Sequence, residues 1–359
     1  VTKPGAGDGP QLDERGGVTF RYGDAPAGVV AVRLVQEVVH GLPDPELRRR
    51  AGGFELRFVP AGVDRFEYRF DLVHEDGGHE LVCDPANPRR ANGPFGDRSV
   101  VEMAGYVPPD WLEVDAPRGD RRELIVPSKA LGEDQPALLW APPGTPEGAA
   151  LPLLVVLDGF ELERYSGLTR MLGALTAQHR LPPLRALLLQ PTSRTDHYSA
   201  DPRFTDALWN ELLPAAETEG GRRPPALVGL GASLGGLALV HAHRHAPDHG
   251  GTGFDGLFLQ SGTFLRRRLD GFDKAERVTS FVAEAAADAG RRVPVEMTSG
   301  VVEETFGDNR AMARSLQQQG FPARLHALRD AHNWIAWRDG WIHLPSLFEQ
   351  LVLSEGVAR

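Results

Sequence analysis

From about residue 120 onward the chain alternates short apolar runs of β type with longer segments of helical period, and this alternation restricts the fold more than any other feature. The runs are LPLLVVLDG (151–159), LRALLLQP (184–191), PALVGLGAS (225–233), FDGLFLQSG (254–262), VPVEMTSG (293–300) and ARLHALRD (323–330). Strands that are apolar throughout must be covered on both faces, so the pattern predicts a mostly parallel sheet with helices on either side. Between the runs, FTDALWNELLPAAETE and NRAMARSLQQQG carry apolar positions at helical spacing, with Gly320 placed to end the second.

The first third reads differently. VTFRY (18–22), VVAVRLV (29–35), FELRFV (54–59) and RFEYRFDLV (65–73) alternate in the manner of half-buried strands and are separated by turn clusters such as YGDAPAG and HEDGGHE. That is the pattern of a small antiparallel β-sandwich. The Pro- and Gly-punctuated segment DPANPRRANGPFGDRSVVEMAGYVPPDWLEV follows, and the boundary is placed at its end. The expected division is a mobile leader over 1–15, a sandwich domain over 16–115 and a catalytic domain over 116–359.

Composition excludes several function classes. A formal charge of −10 offers no electrostatic footprint for nucleic acid or an anionic membrane. The single cysteine, Cys83, rules out an intrachain disulfide and a thiolate metal cluster. The opening VTKPGAGDGPQLDERGG has charges and glycines where a secretory peptide needs an apolar core, and no apolar run reaches spanning length, so the expectation is a cytoplasmic protein.

The run PALVGLGAS ends in Gly231-Ala-Ser233-Leu-Gly235 and passes directly into the helical segment LALVHAHRHA. A serine on a sharp strand-to-helix turn needs small residues two positions to either side, which Gly231 and Gly235 supply. The N–H of Leu234, at the start of the helix, is then a donor for a developing oxyanion. The alternative is a glycine-rich turn with an incidental serine, but the strand before and the helix after are what a nucleophile turn requires.

A nucleophilic serine needs a base, and in such sheets the order along the chain is Ser, then Asp or Glu, then His. Of the C-terminal histidines, His326 falls inside a strand run and His343 inside the final helical segment. His332 directly follows a strand and is taken as the base. The acid should follow VPVEMTSG, where Glu303 and Glu304 come first and Asp308 later. Glu303 is chosen over Glu304, with the side-chain direction left open. The second oxyanion donor is assigned to the Phe160 N–H, after the strand LLVVL, with Gly159 letting the turn form.

Taken together, LLVVLDGFELERY, QPTSRTDHY with RFTDALWNELLPAAE, GLGASLGGLALVHAHRHAP, FLQSGTF, GVVEETFGDNRAMARSLQQQGF and AHNWIAWRDGW resemble the enterochelin-esterase family of the α/β-hydrolase superfamily. DPANPRRANGPFGDRSVVEMAGYVPPDWL resembles the end of that family's N-terminal domain, and the likeness runs over roughly residues 18 to 350. The resemblance implies an α/β-hydrolase catalytic domain preceded by an immunoglobulin-like β-sandwich. It further implies a serine esterase that cleaves the ester linkages of catecholate siderophores, often cyclic trilactones, after uptake of the iron complex. No cofactor is implied, and iron would arrive with the small-molecule substrate rather than on a protein metal site. Related feruloyl and acyl esterases share the catalytic domain. A feruloyl-type or depsipeptide esterase, and a binding protein of the same fold without turnover, are the alternatives carried forward.

Many members read Gly-Gly-His-Asp-Trp around the base, whereas this chain reads Asp330-Ala-His-Asn333-Trp334. Asp330 puts a carboxylate close to the imidazole in sequence, where it would favour the protonated ring or compete for its N–H. Arg194 matches an arginine of the family motif and is read either as a contact to an anionic catecholate or as the partner of Asp196 or another nearby acid. Trp334 is a candidate aromatic contact to substrate, although Trp334 and Trp337 also suit the core. His241, His243, His245 and His249 invite a metal reading, but Asp248 alone lies nearby at ligand spacing and they are read as surface or satisfied side chains.

Overall fold

The computed structural model describes residues 9–23, 25–38 and 44–357, with side chains up to residue 351. Residues 1–8 of the expected mobile leader therefore lie outside the described residues. The chain divides into two compact units. One holds Val1–Val107 with Gly300–Glu304 and Leu328–Ala336, and the other holds Pro108–Ser299, Thr305–Ala327 and Trp337–Arg359.

Among its described residues the first unit contains nine strands: β1 (Gln11–Leu12), β2 (Val18–Tyr22), β3 (Val29–Gln36), β4 (Arg48–Arg50), β5 (Gly53–Phe58), β6 (Arg65–His74), β7 (His79–Val82), β8 (Arg90–Ala91) and β9 (Arg98–Glu102). They form two small sheets, ordered β1-β2-β5-β4 and β3-β6-β9-β8, with β7 paired to β6. Alternation builds them: in β2, Val18, Phe20 and Tyr22 are buried while Arg21 faces out. The inward residues of both sheets share one core rich in aromatic rings. Phe20 meets Tyr68 edge-on at 4.8 Å, and Tyr22 meets Phe70 at 5.2 Å. Val302 and Ala331 belong to the same core, so the segments bearing Glu303 and His332 are anchored in it.

The second unit is built on one eight-stranded sheet of β10 (Asp120–Ser128), β11 (Glu133–Ala141), β12 (Leu153–Leu157), β13 (Arg185–Leu189), β14 (Leu227–Ala232), β15 (Gly256–Gln260), β16 (Val295–Gly300) and β17 (Ala323–Leu328). The order is β10-β11-β13-β12-β14-β15-β16-β17. β10 and β11 form an antiparallel hairpin at one edge, β11 runs antiparallel to β13, and β13, β12, β14, β15 and β16 are parallel. The sheet is thus mixed, parallel in its centre and antiparallel at the β10–β11 edge. Strands β12 to β16 are buried along almost their whole length, as sheets covered by helices on both faces require. Helices Gly159–Ser166, Leu234–His245, Ala275–Ala287 and Phe306–Gln318 flank it. Among the described residues no helix is long and apolar enough to cross a membrane.

Candidate active site

β14 runs straight into the helix Leu234–His245 through Ser233, whose backbone sits at φ 56°, ψ −123°. A non-glycine residue in that region is strained, and strain of this kind persists only where the surroundings fix it. They do here. The Ser233 N–H donates to the Gln260 carbonyl at 2.8 Å, and the Ser233 carbonyl accepts from the Thr263 N–H at 3.0 Å. Gly231 is obligatory, because a Cβ there would lie 2.7 Å from the Gly235 backbone carbonyl. The Ser233 Oγ is 3.2 Å from the Thr263 Oγ1. Thr263 lies in the motif FLQSGTF, yet nothing in its spacing marked it as a partner of the serine.

Leu234 opens the helix. Its amide, like that of Gly235, precedes the first internal acceptance, which is Gly236 N–H to the Ser233 carbonyl at 3.1 Å. The turn that carries Phe160 lies beside it: the position of a Gly235 Cβ is 3.5 Å from Asp158 Oδ2. Asp158 is left-handed (φ 55°, ψ 35°) and starts the helix Gly159–Ser166, in which the first bond is Leu162 N–H to the Asp158 carbonyl at 2.9 Å. The Phe160 amide therefore lies in the first turn of that helix, ahead of its first internal bond. Gly159 owes its identity to packing, since a Cβ would fall 2.5 Å from Leu188 Cβ.

Arg194 forms an ion pair with Asp158 rather than with Asp196. Its Nε and Nη2 donate to the two carboxylate oxygens at 2.8 and 2.6 Å, and Asp158 is 2% exposed. Asp196 pairs instead with Lys274 at 2.8 Å. Desolvation works against the Arg194 charge, but Asp158 outweighs it and holds the guanidinium pKa above its ordinary value. Beside this pair, burial and then the Asp158 charge push the Glu161 carboxyl up, and Glu161 accepts from Gln190 at 2.8 Å.

Glu303 and His332 are brought together in the other unit. His332 Nδ1 is 3.0 Å from Glu303 Oε2, and Glu303 Oε1 accepts the Gly300 N–H at 2.6 Å. The Glu303 side chain is 1% exposed and His332 38%. Glu304 is exposed, and Asp308 pairs with Arg266 at 2.7 Å. Asp330 does not compete for the imidazole. Its Oδ1 accepts from Ala331 N–H at 2.7 Å and from Asn333 Nδ2 at 3.0 Å, and its Oδ2 lies 3.6 Å from Arg65 Nη1. Asn333 Oδ1 accepts the Ala336 N–H at 2.8 Å and so caps the helix Trp334–Gly340, a task an aspartate would also perform. Trp334 is half-buried, whereas Trp337 is core and donates to Ser261 Oγ at 3.1 Å.

The four histidines that invited a metal reading are each partnered. His241 bonds Thr205 at 2.7 Å, His243 bonds the Arg291 carbonyl at 2.7 Å, and His245 lies 3.1 Å from Asp248. His249 lies 3.3 Å from Asp206. Burial, with the His245 charge, depresses His241 to about 3.

Residues 128–343, more than half of the chain, match the family described as "Putative esterase". The chain is 27% identical over 281 residues to the iron(III) enterobactin esterase of Dickeya dadantii (strain 3937), a match that covers 72% of this chain and 64% of that curated relative's length. The enterobactin esterase of Shigella flexneri, solved in the presence of enterobactin, shares the fold with a TM-score of 0.77 at 22% identity, over 96% of each chain. The ferric enterobactin esterase of Salmonella typhimurium gives 0.76 at 22% identity, over 96% of this chain and 98% of that one. A ferulic acid esterase aligns over 65% of this chain and 98% of its own, with a TM-score of 0.51 at 14% identity. The fold thus resembles that of the enterobactin esterases, and by the family match the chain belongs to the "Putative esterase" family.

Proposed function

We propose that this chain is a serine esterase that hydrolyses the ester bonds of a catecholate siderophore or a similar trilactone, with Ser233, His332 and Glu303 as its triad. The observation that carries the reading is a strained serine elbow in the same chain as an imidazole whose Nδ1 faces a buried carboxylate. Ser233 Oγ attacks the ester carbonyl while His332 Nε2 takes its proton. Collapse of the tetrahedral intermediate breaks the C–O bond, and His332 returns the proton to the leaving alcohol. Water then repeats the cycle on the acyl-enzyme, releasing the acid and free Ser233. Glu303 holds the Nδ1–H tautomer that leaves Nε2 basic. The N–H groups of Leu234 and Phe160 receive the oxyanion, each contributing about 2.7 to 4 kcal/mol by analogy with other oxyanion holes.

The substrate class is supported by the relatives, one of which is named an iron(III) enterobactin esterase and another of which was solved with enterobactin. Half-buried Trp334, two residues beyond His332, is read as a contact to the aromatic acyl group. Arg194 and Gly159 act on substrate through the turn they build around Asp158. We place the reaction in the cytoplasm, where a ferric complex taken up whole would be opened. The catalytic domain is taken as 116–359, and 16–115 as an immunoglobulin-like sandwich, a reading supported by two antiparallel sheets sharing one aromatic core.

A feruloyl-type or depsipeptide esterase is the second reading, favoured by the fold likeness to a ferulic acid esterase. The reading without turnover loses its motive, because Asp330 is directed to Arg65 and Asn333. Mass spectrometry of products after incubating wild type and Ser233→Ala with a tris-catechol trilactone, with and without iron, tests the proposal. Ring opening by wild type alone supports both nucleophile and substrate. If neither protein cuts the trilactone while wild type cleaves feruloyl esters, the second reading replaces it.

A further inference from the structure

The segment around His332 is held by a buried charge network that the proposed chemistry does not use. Arg65, on β6, is 3% exposed. Its Nη2 donates to Glu67 Oε1 at 2.8 Å, and its Nη1 donates to Asn333 Oδ1 at 3.3 Å and lies 3.6 Å from Asp330 Oδ2. Asn333 Nδ2 donates both to Asp330 Oδ1 at 3.0 Å and to Glu37 Oε2 at 2.9 Å. Glu37 follows β3 and accepts from Arg98 of β9 at 2.9 Å. The two residues that bracket the imidazole, Asp330 and Asn333, are thereby tied to side chains from β6 and from the end of β3.

Five buried or half-buried charges are a poor device for stability, because apolar residues of the same volume commonly stabilise as well or better. What such a network supplies is a single geometry. Its charges also fail to cancel unless a proton is held: two guanidiniums, Arg65 and Arg98, face three carboxyls, Glu37, Glu67 and Asp330. Burial and then the Glu67 charge push Glu37 up to about 8, against Arg98 and Asn333. Burial pushes Asp330 up to about 6, against Arg65. Tyr106 is the other titratable group that acts on Arg65. Full ionisation of the three carboxyls is therefore resisted, at Glu37 most of all.

We propose that Arg65 is a positioning residue for ester hydrolysis: its buried contacts with Asp330 and Asn333 set the backbone of the His332 loop and so the aim of the imidazole. Arg65 touches neither the substrate nor the reacting atoms. The inference rests on the serine-esterase reading for the role of His332.

The test uses the full chain with Arg65→Met, Arg65→Lys and, as a control, the exposed Arg21→Met. The readouts are kcat and KM on a p-nitrophenyl ester across pH, the labelling rate of Ser233 by a fluorophosphonate, and the melting temperature. Arg65→Met is expected to lower kcat about 100-fold with KM little changed, the size of effect that a misplacement of about 1 Å produces. Labelling should slow in parallel, Arg65→Lys should recover part of the loss, and Arg21→Met should match wild type. A folded Arg65→Met with wild-type kcat overturns the proposal, as does a loss that merely follows the unfolded fraction. If Arg65→Met does not fold, Arg65→Lys decides: it keeps the charge but not the planar fork that reaches both Glu67 and Asn333, so it should still lower kcat with KM little changed, and a folded Arg65→Lys with wild-type kcat overturns the proposal. The His332 ring resonances in Arg65→Met tell the two failures apart. Displaced resonances in a chain whose wild type has no esterase activity keep the positioning and discard the chemistry; unmoved resonances discard the positioning.

Discussion

His332 Nδ1 stands 3.0 Å from Glu303 Oε2, and the second oxygen of the same carboxylate is occupied by the Gly300 N–H at 2.6 Å. Glu303 is thus fixed by backbone on one side and presents one oxygen to the ring on the other. With that oxygen ionised, the ring proton is favoured on Nδ1, the tautomer that the proposed mechanism requires.

Glu303→Gln keeps the shape but can offer an N–H in place of an acceptor, which favours the wrong tautomer. It should lower kcat by about 10² to 10⁴-fold with little change in KM, by analogy with the loss of triad acids elsewhere. Glu304→Gln, at an exposed position, should leave both constants near wild type. Steady-state kinetics on an aryl ester decide it: equal losses in the two variants would remove Glu303 from the triad.

What could be read from sequence follows from where each signal resides. β12 to β16 were legible as apolar runs because they are buried on both faces. The hairpin β10–β11 was not, because DRRELIVPS and EDQPALLWA mix charges into the strand pattern at the sheet edge. The serine turn was legible because its constraint is local: Gly231 must be small for the Gly235 backbone to pass. Arg194 could be recognised as a charge seeking an acid, but its partner lies 36 positions away at Asp158, beyond the reach of any spacing rule. The same holds for Arg65 and Asn333, 268 positions apart. Sequence placed Asp330 beside the imidazole because the two are neighbours in the chain; the fold turns the carboxylate to Arg65 instead.

Gly231→Ala tests the local constraint. The added methyl would sit 2.7 Å from the Gly235 carbonyl carbon and oxygen and 2.9 Å from Leu239 Cδ1, and the first two are backbone atoms of the helix start. Relief requires that start to shift, carrying Ser233 and the Leu234 amide with it. The expected cost is about 1 to 3 kcal/mol in denaturant unfolding, as for other overpacked sites, together with a fall in kcat. Unchanged stability and unchanged kcat would show that the turn tolerates a Cβ.

Arg194→Met leaves the Asp158 carboxylate, 2% exposed, without its bidentate partner. Breaking a buried pair from one side costs about 3 to 5 kcal/mol, but the Arg194 side chain is 38% exposed and water will screen part of the loss, so about 2 kcal/mol is expected. Because Asp158 starts the helix that carries the Phe160 amide, kcat should fall as well. Asp158→Asn with Arg194→Met should recover stability relative to Arg194→Met alone, since no charge is then stranded. A double variant no more stable than the single would mean that the pair does not hold the turn.

The network around Glu37 makes folding depend on pH in a definite direction. Glu37 is raised from 4.5 to about 8 and Asp330 from 3.8 to about 6, each by burial first. The folded chain therefore keeps protons that the unfolded chain has released, and stability falls as pH rises, through about 6 for Asp330 and on to about 8 for Glu37. Four histidines act in the opposite sense at acid pH: burial lowers His197, His241, His243 and half-buried His343 below their ordinary 6.5, His241 to about 3 and His343 to about 4, so they disfavour folding only where the unfolded imidazoles take up protons. Above about pH 7 these imidazoles are mostly neutral whether folded or not, and the window from there to pH 8 reports on Glu37. Melting temperature should decline across it in wild type and stay nearly level in Glu37→Gln, whose amide imitates the protonated acid. Parallel curves for the two proteins would show that Glu37 ionises as readily in the fold as in the unfolded chain.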